Sequence, residues 1–306
     1  SILKYLLKNT SFNLICVGRN IEKISSYNSR IEYFKWNFSS FTKRNLIFLE
    51  NADILINCVG KTDENNKDLE YLNFIFLKKI INYIRNQKIN LRFIHLSSVA
   101  VYGGMKAYFG QFKIITEKTK TIENNLYSLN KLKSDLFIQN LNKKKFNKNF
   151  TFTILRISNV FGGEKKSNLF KYVFFSLKIG IWIKSFQKVQ FNFVNVNDVA
   201  QAVFLVISKL KVSKNKIYIV SDDCEQQDLY KRYKIKYKKR FLQIHIPIML
   251  IKFLVNFIPM PKKILNLIFI ISSRVLYDNQ KIIKELKFKP RYSIQKIITL
   301  LNEKKT

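Results

Sequence analysis

Two residues one helical turn apart, Tyr127 and Lys131, have the types and the spacing that proton transfer would need. Residues i and i+4 share one face of a helix, so this phenol and this ammonium would lie side by side. A free phenol has a pKa of about 10, too high for a base at neutral pH, and a neighbouring ammonium lowers that value. The pair is therefore a candidate to move a proton at a substrate hydroxyl. In a chain with 15 Tyr and 55 Lys+Arg, a surface pair without function is the simpler interpretation of the motif alone.

Polar or small residues also follow several apolar runs that predict buried strands. Ser97 and Ser98 end one such run, Asn159 follows another, and Gly60 follows a third. Ligands of parallel α/β sheets bind beyond the carboxyl ends of the strands. We therefore expect these residues to face one crevice, where Ser98 would hydrogen-bond the same substrate oxygen as Tyr127.

The order of four segments is more specific than any one of them. A strand with Ser-Ser-Val-Ala-Val-Tyr-Gly is followed by Tyr-x-x-x-Lys, then by Leu-Arg-Ile-Ser-Asn-Val-Phe-Gly, then by Phe-Val-x-Val-x-Asp-Val-Ala. In this order the segments resemble the extended short-chain dehydrogenase/reductase family, the NAD-dependent epimerases and dehydratases that modify nucleotide-linked sugars. The resemblance runs from Ser1 to about Glu303.

The resemblance implies a catalytic centre in which Tyr127 is the acid/base, Lys131 lowers its pKa and holds the nicotinamide ribose, and Ser98 is the catalytic hydroxyl. It also implies contacts with the cofactor and with the substrate. The cofactor-binding residues are Arg19, Asn37, Cys58, Val59, Gly60, Ser97, Tyr127 and Lys131, and the substrate-binding residues are Ser98, Val99, Asn159 and Arg274. Arg274 is a candidate for the substrate pyrophosphate, with a plain surface role as the alternative; Asn73 would tie a helix to the sheet, and Asp198 would cap a helix.

The cofactor side departs from the family pattern at three places. In the family, the backbone N–H groups of a Gly-x-x-Gly-x-x-Gly loop bind the cofactor pyrophosphate. This loop has no counterpart before the first predicted helix. We therefore expect that the sequence is truncated at its N-terminus and that the fragment could be inactive. Arg19 stands where NAD users carry an acid for the ribose, which favours NADP over NAD. Asn37 stands where an adenine-side Asp is common.

The residues after the catalytic serine bear on the reaction. Dehydratases of the family place Asp-Glu there, whereas this chain has Val99 and Ala100. An NAD(P)-dependent epimerase or 4-ketoreductase acting on a nucleotide-sugar is therefore predicted. Phe191 replaces an arginine of many epimerases, which tilts the prediction towards reductases or epimerases of a lipid-linked sugar. The alternative class is a non-catalytic nucleotide-binding protein of the same fold.

Strands are predicted at residues 12–17, 31–36, 53–58, 91–97, 150–156, 190–196 and 216–220, and helices at 69–85 and 124–141. Strands alternating with helices of 10 to 20 residues predict a doubly wound, Rossmann-like parallel sheet. We expect residues 1–165 to form the NAD(P)-binding domain without its first strand and glycine loop. Residues 166–306, where this rhythm loosens, are expected to form a smaller, partly interleaved substrate-binding region.

The net charge of +35 favours nucleic acid or an anionic membrane surface, but the lysines are spread along the chain, so surface positions filled with lysine are the simpler explanation. The lone cysteines Cys16, Cys58 and Cys224 predict neither a disulfide framework nor a metal site. We expect a cytoplasmic homodimer without a specific nucleic-acid partner. The apolar, lysine-flanked stretch 241–271 either covers the substrate cleft or rests weakly on the inner membrane face.

Overall fold

The computed structural model describes residues 1–21, 28–38, 41–65, 67–143, 150–162, 168–184, 188–238, 240–247, 250, 253, 255 and 257–293. Within these, the strands are β1 Leu14–Gly18, β2 Ile31–Lys35, β3 Ile54–Asn57, β4 Arg92–Ser98, β5 Lys113–Ile115, β6 Thr151–Ile157, β7 Asn159–Phe161, β8 Ile181–Lys184, β9 Gln190–Phe191, β10 Phe193–Asn195, β11 Lys216–Val220, β12 Cys224–Glu225, β13 Leu242–His245 and β14 Val275–Tyr277. The helices are α1 Ile2–Asn9, α2 Lys43–Leu46, α3 Phe76–Asn86, α4 Gly104–Ala107, α5 Leu126–Lys143, α6 Asn168–Ile179, α7 Val196–Ser208, α8 Leu210–Ser213, α9 Gln226–Tyr237, α10 Lys262–Ile271 and α11 Gln280–Leu286.

The central sheet has four strands in the order β11-β6-β4-β3, and β3 pairs with β4 in parallel. A second parallel pair joins β1 to β2, from Leu14 opposite Ile31 to Gly18 opposite Lys35. Strand order differs from chain order because helices connect the strands, as the alternating pattern predicts. The predicted Rossmann-like α/β class is confirmed.

The chain divides into two compact units: residues 1–97, 125–155 and 200–217 form the first, and residues 98–124, 156–199 and 218–306 the second. The first has an apolar core in which Trp36, Phe76 and Phe93 are buried. The second has its own core, with Phe161, Phe193 and Tyr230 at its centre. The substrate-binding role expected of residues 166–306 stays a prediction.

A single turn of π-helix, Tyr71–Ile75, precedes α3. The N–H of Phe76 reaches back five residues to the carbonyl of Tyr71, so one residue is inserted relative to an α-helix. Such an insertion leaves a carbonyl to be satisfied from outside the helix, and Ser134 Oγ donates to the Asn73 carbonyl at 2.6 Å.

Two local expectations are wrong. The predicted strand 190–196 is broken at Asn192: β9 pairs antiparallel with β12, whereas β10 pairs in parallel with β7. Asp198 is not a helix cap, because α7 already begins at Val196. Its carboxylate accepts the backbone N–H groups of Arg291 and Tyr292 at 2.9 and 3.1 Å.

Candidate active site

The helix that carries Tyr127 and Lys131 begins at a side-chain cap. Asn125 Oδ1 accepts the N–H of Ser128 at 2.7 Å, and Ser128 Oγ accepts the N–H of Asn125 at 3.1 Å. This reciprocal pair satisfies two backbone donors of the first turn and contributes about 1 kcal/mol. Tyr127 is half-buried in that turn, and the predicted helix 124–141 is observed as Leu126–Lys143.

Lys131 is buried and points to the carboxyl end of β4. Its Nζ donates to the carbonyl of Leu96 at 3.0 Å. The ammonium also lies close to Gly60, since a Cβ placed on that glycine would be 3.3 Å from Nζ. The structure therefore brings together three places that the sequence predicted separately: Lys131, the Gly60 turn, and the end of the strand that carries Ser97.

Burial governs the charge of this group. Desolvation lowers the pKa of Lys131 from 10.5 to about 8, although electrostatic interactions with Asp135 and Cys58 oppose the shift. Asp135 stands one further turn along α5, and its Oδ1 is 4.0 Å from Nε2 of His95. Burial, helped by the Lys131 charge, holds the pKa of His95 well below its usual range, so the histidine is neutral.

The Gly60 turn is held from one side by Asn73. The N–H of Lys61 donates to Asn73 Oδ1 at 3.1 Å, and Asn73 Nδ2 donates back to the Lys61 carbonyl at 2.8 Å. A Cβ at Gly60 would stand 2.7 Å from the same oxygen, which leaves no room for a side chain. The expected tie between Asn73 and the strand end is thus present as two hydrogen bonds.

The remaining cofactor-side predictions fall at strand ends of the first unit. Arg19 directly follows β1 and Asn37 follows β2 by two residues, and both are exposed. Val59 donates its N–H to Asn57 Oδ1 at 3.1 Å. Ser97 is buried, and its Oγ has no hydrogen-bond partner among the described residues. An unsatisfied buried hydroxyl calls for a partner, and a ribose or nicotinamide amide would supply one.

Cys58 keeps accessible surface, yet dense surrounding protein desolvates its thiolate and raises the pKa of the thiol to about 11, against the lowering effect of Lys131. The thiol is therefore protonated at neutral pH. The cofactor-binding role expected of Cys58, through the backbone of its segment, stays a prediction.

The substrate-side predictions lie in the second unit. Ser98 Oγ accepts the N–H of Ala100 at 3.2 Å and so caps the short 3-10 turn in which Val99 is buried. Asn159 Nδ2 donates to the carbonyl of Asn192 at 2.9 Å. Asn192 continues the chain of contacts: its amide donates to Asp223 Oδ2 at 2.7 Å.

Arg274 lines a cavity of about 580 Å³ together with Lys188, Gln190, Phe112 and Asp223. Its guanidinium lies 5.7 Å from the Phe112 ring centre. Its Nε is buried and has no hydrogen-bond partner among the residues that the structure describes. The carboxylates of Asp223, Glu225 and Asp228 line the same cavity, and Lys188 Nζ is paired with Glu225 Oε1 at 3.1 Å. Arg274, with its unsatisfied donor, is therefore the cation here that is suited to an anionic group.

Asp223 is the residue here that the sequence interpretation missed. Its carboxylate accepts from Asn192, from the N–H of Tyr277 at 2.7 Å and from Ser221 Oγ. Desolvation nevertheless raises the pKa of Asp223 to about 7. Its position three residues after β11 was the available signal, since polar residues after strand ends line such sites.

Among the described residues no group of His, Cys, Asp or Glu could hold a metal ion. No helix in the described ranges is long and apolar enough to cross a membrane.

The chain belongs to the NAD dependent epimerase/dehydratase family, whose model matches residues 1–221. A comparison with curated proteins finds no match. Among solved structures, UDP-glucuronic acid 4-epimerase from Bacillus cereus in complex with NAD is similar at a TM-score of 0.69 and 14% identity, over 97% of this chain and 89% of that one.

Two further solved structures are similar in fold. For dTDP-glucose 4,6-dehydratase from Bacillus anthracis the TM-score is 0.69 at 14% identity, over 99% of this chain and 92% of that one. For UDP-glucose 4-epimerase from Thermotoga maritima it is 0.66 at 14% identity, over 99% and 93%. Family membership, which the ordered motifs predicted, is thereby confirmed.

Proposed function

We propose that this protein transfers hydride at the ring of a nucleotide-linked sugar, with Tyr127 as acid/base, Lys131 as the charge that tunes it, and Ser98 as hydrogen-bond partner of the reacting hydroxyl. The single observation that carries the proposal is the buried ammonium of Lys131, fixed to the Leu96 carbonyl at 3.0 Å. A buried, desolvated cation on the helix that carries a tyrosine is a costly arrangement that function explains.

The residues of the first unit fit a nicotinamide cofactor. Asn73 holds the Gly60 turn through two hydrogen bonds to Lys61, so the backbone of Cys58 and Val59 is fixed where a dinucleotide would pass, and Ser97 offers an unsatisfied hydroxyl. When bound, the cofactor accepts hydride from the sugar or returns it. Tyr127 moves the matching proton at the sugar oxygen, and Lys131 holds the ribose and stabilises the phenolate.

The choice between NAD and NADP rests on Arg19. An exposed guanidinium directly after β1 suits a 2′-phosphate, so NADP is proposed as the preferred cofactor. Arg19→Glu should raise the ratio of the Kd for NADP to the Kd for NAD about tenfold. The exposed Lys211→Glu, which makes the same charge change on α8, should leave the ratio unchanged.

The cavity around Arg274 is the proposed site of the substrate's diphosphate. Arg274 would bind the anionic group, and Phe112 would pack against the base. Asn159, joined to this cavity through Asn192 and Asp223, would contact the nucleotide-sugar. Val99 would close the apolar side of the sugar.

Two reactions fit these residues, 4-epimerisation and 4-keto reduction. Dehydration is disfavoured because Val99 and Ala100 offer no acid where elimination of water needs one. Similar structures were determined with UDP-glucuronic acid and NAD and, for a protein named RMD, with NADPH. A nucleotide-linked 4-keto hexose that consumes NADPH would assign a reductase. Interconversion of UDP-hexoses without net change in cofactor absorbance would assign an epimerase.

The decisive experiment pairs binding with turnover. The full chain is titrated calorimetrically with NAD and NADPH, and then assayed with both substrate types beside Tyr127→Phe and Tyr83→Phe. We expect Tyr127→Phe to lose at least about a hundredfold in turnover while it still binds cofactor, and Tyr83→Phe to match the wild type. Absence of nicotinamide nucleotide binding would reject the enzyme and leave the non-catalytic nucleotide-binding protein.

We also propose a homodimer. Leu126 and Leu136 on α5 are exposed apolar side chains, and a second copy that covered them would remove apolar surface from water. Light scattering should give twice the monomer mass. Leu136→Asp should return the protein to the monomer.

A further inference from the structure

The second unit carries a dense run of positive charge on α9 and just beyond it. Seven of the ten residues from Lys231 to Arg240 are Lys or Arg. The opposite side of the helix is anchored, because Leu229, Tyr230 and Tyr233 are buried. We call this run, residues 231–240, the basic tract.

Five described residues of the basic tract line a concavity on the surface. Lys231, Lys234, Lys238 and Arg240 line a depression of about 500 Å³ around Ile235, which is 77% exposed. The depression is suited to a partner that offers both negative charge and apolar volume.

An apolar segment follows the tract directly in the chain. Leu242 is 64% exposed on β13, whose four residues are all exposed. Further along, Leu250, Phe253, Phe257 and Ile258 are also exposed, Phe257 at 72%, and the rings of Phe253 and Phe257 lie 4.7 Å apart. Several exposed apolar side chains in one stretch of the chain are typical of an interaction surface. We call the described residues of this stretch, 242–247, 250, 253, 255, 257 and 258, the apolar segment.

We propose that the basic tract and the apolar segment together bind the surface of an anionic lipid bilayer. Each Lys or Arg near such a surface contributes favourably through the negative potential of the leaflet. Leucine, isoleucine and phenylalanine side chains enter the boundary between headgroups and acyl chains. The net charge of +35 draws the whole chain towards such a surface.

A bilayer fits these residues better than a nucleic acid does. Single-stranded nucleic acid uses cations interleaved with aromatic platforms. Phe253 and Phe257 are exposed rings, but the other four exposed side chains, Ile235, Leu242, Leu250 and Ile258, are aliphatic and offer no ring for a base to stack on. Acyl chains accept aliphatic and aromatic side chains alike. This inference does not rest on the proposed reaction and survives if that reaction is wrong.

The test is co-sedimentation of the full chain with vesicles of phosphatidylcholine, with and without about one third phosphatidylglycerol. Binding is expected to the anionic vesicles alone. Reversal of three tract charges, Lys231→Glu, Lys234→Glu and Lys238→Glu, should weaken it at least about tenfold. The matched control reverses three exposed lysines elsewhere, Lys4→Glu, Lys118→Glu and Lys214→Glu, and should weaken it only about twofold by lowering the net charge.

Insertion of the apolar segment into the bilayer is measured with a separate set of variants. Phe253→Ser with Phe257→Ser should weaken binding at least about tenfold while circular dichroism stays unchanged. In Phe257→Trp, tryptophan emission should shift to shorter wavelength on anionic vesicles. Trp36 and Trp182 are buried, so the wild type serves as the blank.

Four results would overturn the proposal. They are no binding to anionic vesicles, an equal loss in the control triple variant, no emission shift at position 257, and displacement from vesicles by an equal charge of RNA that binds more tightly. The third would leave mere electrostatic adsorption, and the last would assign the surface to nucleic acid.

Discussion

The ammonium of Lys131 donates a hydrogen bond of 3.0 Å to the backbone carbonyl of Leu96, one residue before Ser97. The bond joins α5 to the end of β4 across 35 residues of sequence. It therefore holds the charge at a fixed place, where a freely moving lysine would lose part of its effect to solvent. Positioned charge of this kind is worth more in a buried site than in water.

The first prediction concerns activity against pH. Because the pKa of Lys131 is lowered to about 8, its charge is lost as the pH rises through that value, and turnover should fall above about pH 8. Lys131→Arg retains its charge at high pH, so its alkaline fall should move to higher pH. The measurement is kcat/KM between about pH 6 and about pH 10, with Lys133→Arg as control. If kcat/KM of the wild type and of Lys131→Arg fell at the same alkaline pH, the loss of activity would not be due to deprotonation of Lys131.

The second prediction concerns stability. The folded-state pKa of Lys131 is lowered from 10.5 to about 8, so the unfolded chain binds more protons between these values and stability rises with pH there. From about pH 7 to about pH 9.5 the wild type should gain about 2 kcal/mol relative to Lys131→Met. Urea unfolding at both pH values measures this gain. Lys133→Met, on the same helix but half exposed, should keep the wild-type slope.

The third prediction concerns Gly60. In Gly60→Ala the new Cβ would stand 2.7 Å from Asn73 Oδ1 and 3.3 Å from Lys131 Nζ. The Asn73 amide would have to leave Lys61, so we expect a loss of about 1 to 2 kcal/mol and weaker cofactor binding. Thermal unfolding and calorimetry measure the two effects. Gly18→Ala should cost less than about 1 kcal/mol in unfolding free energy, because its Cβ would meet nothing nearer than 4.0 Å; equal losses would contradict the steric explanation.

The fourth prediction concerns Asp223. Desolvation raises the folded-state pKa of Asp223 from 3.8 to about 7. The folded chain therefore holds more protons than the unfolded chain between these two values, and the stability of the fold decreases as the pH rises towards 7. Asp223→Asn cannot ionise and retains an oxygen for Asn192 and Tyr277. Its stability relative to the wild type should therefore grow by about 2 kcal/mol between about pH 5 and about pH 8. Chemical unfolding at the two pH values tests this, and a constant difference would reject the explanation.

Much of the fold was predictable because apolar runs bounded by turns report buried strands. Strand β11 was predicted at its observed ends, and β1 to β4 within one or two residues. The break at Asn192 was not predictable. Residues 190–196 were predicted as one short strand, and its division follows from pairing with β12 and β7, which lie far away in sequence.

The part of the candidate site that depends on side-chain types and their spacing was predictable. The i, i+4 pair Tyr127 and Lys131 stands on one helix, as predicted. The partner of Lys131 was not predictable, because a backbone carbonyl has no sequence signature. The same reason explains Asp198: an acid at the start of a helix usually caps it, but here two backbone N–H groups from residues 291 and 292 reach its carboxylate.

The π-turn at Tyr71–Ile75 makes the number of residues in this segment important for the geometry of the site. Because one residue occupies about 100° of a helical turn, deletion of Phe74 alone would restore an ordinary helix and swing Asn73 away from the Lys61 backbone, or else rotate the apolar face of α3 out of the core. Point substitutions at Tyr71 or Phe74 carry no such penalty. Homologous chains should therefore tolerate exchange of residue types in this turn far better than a change in its length.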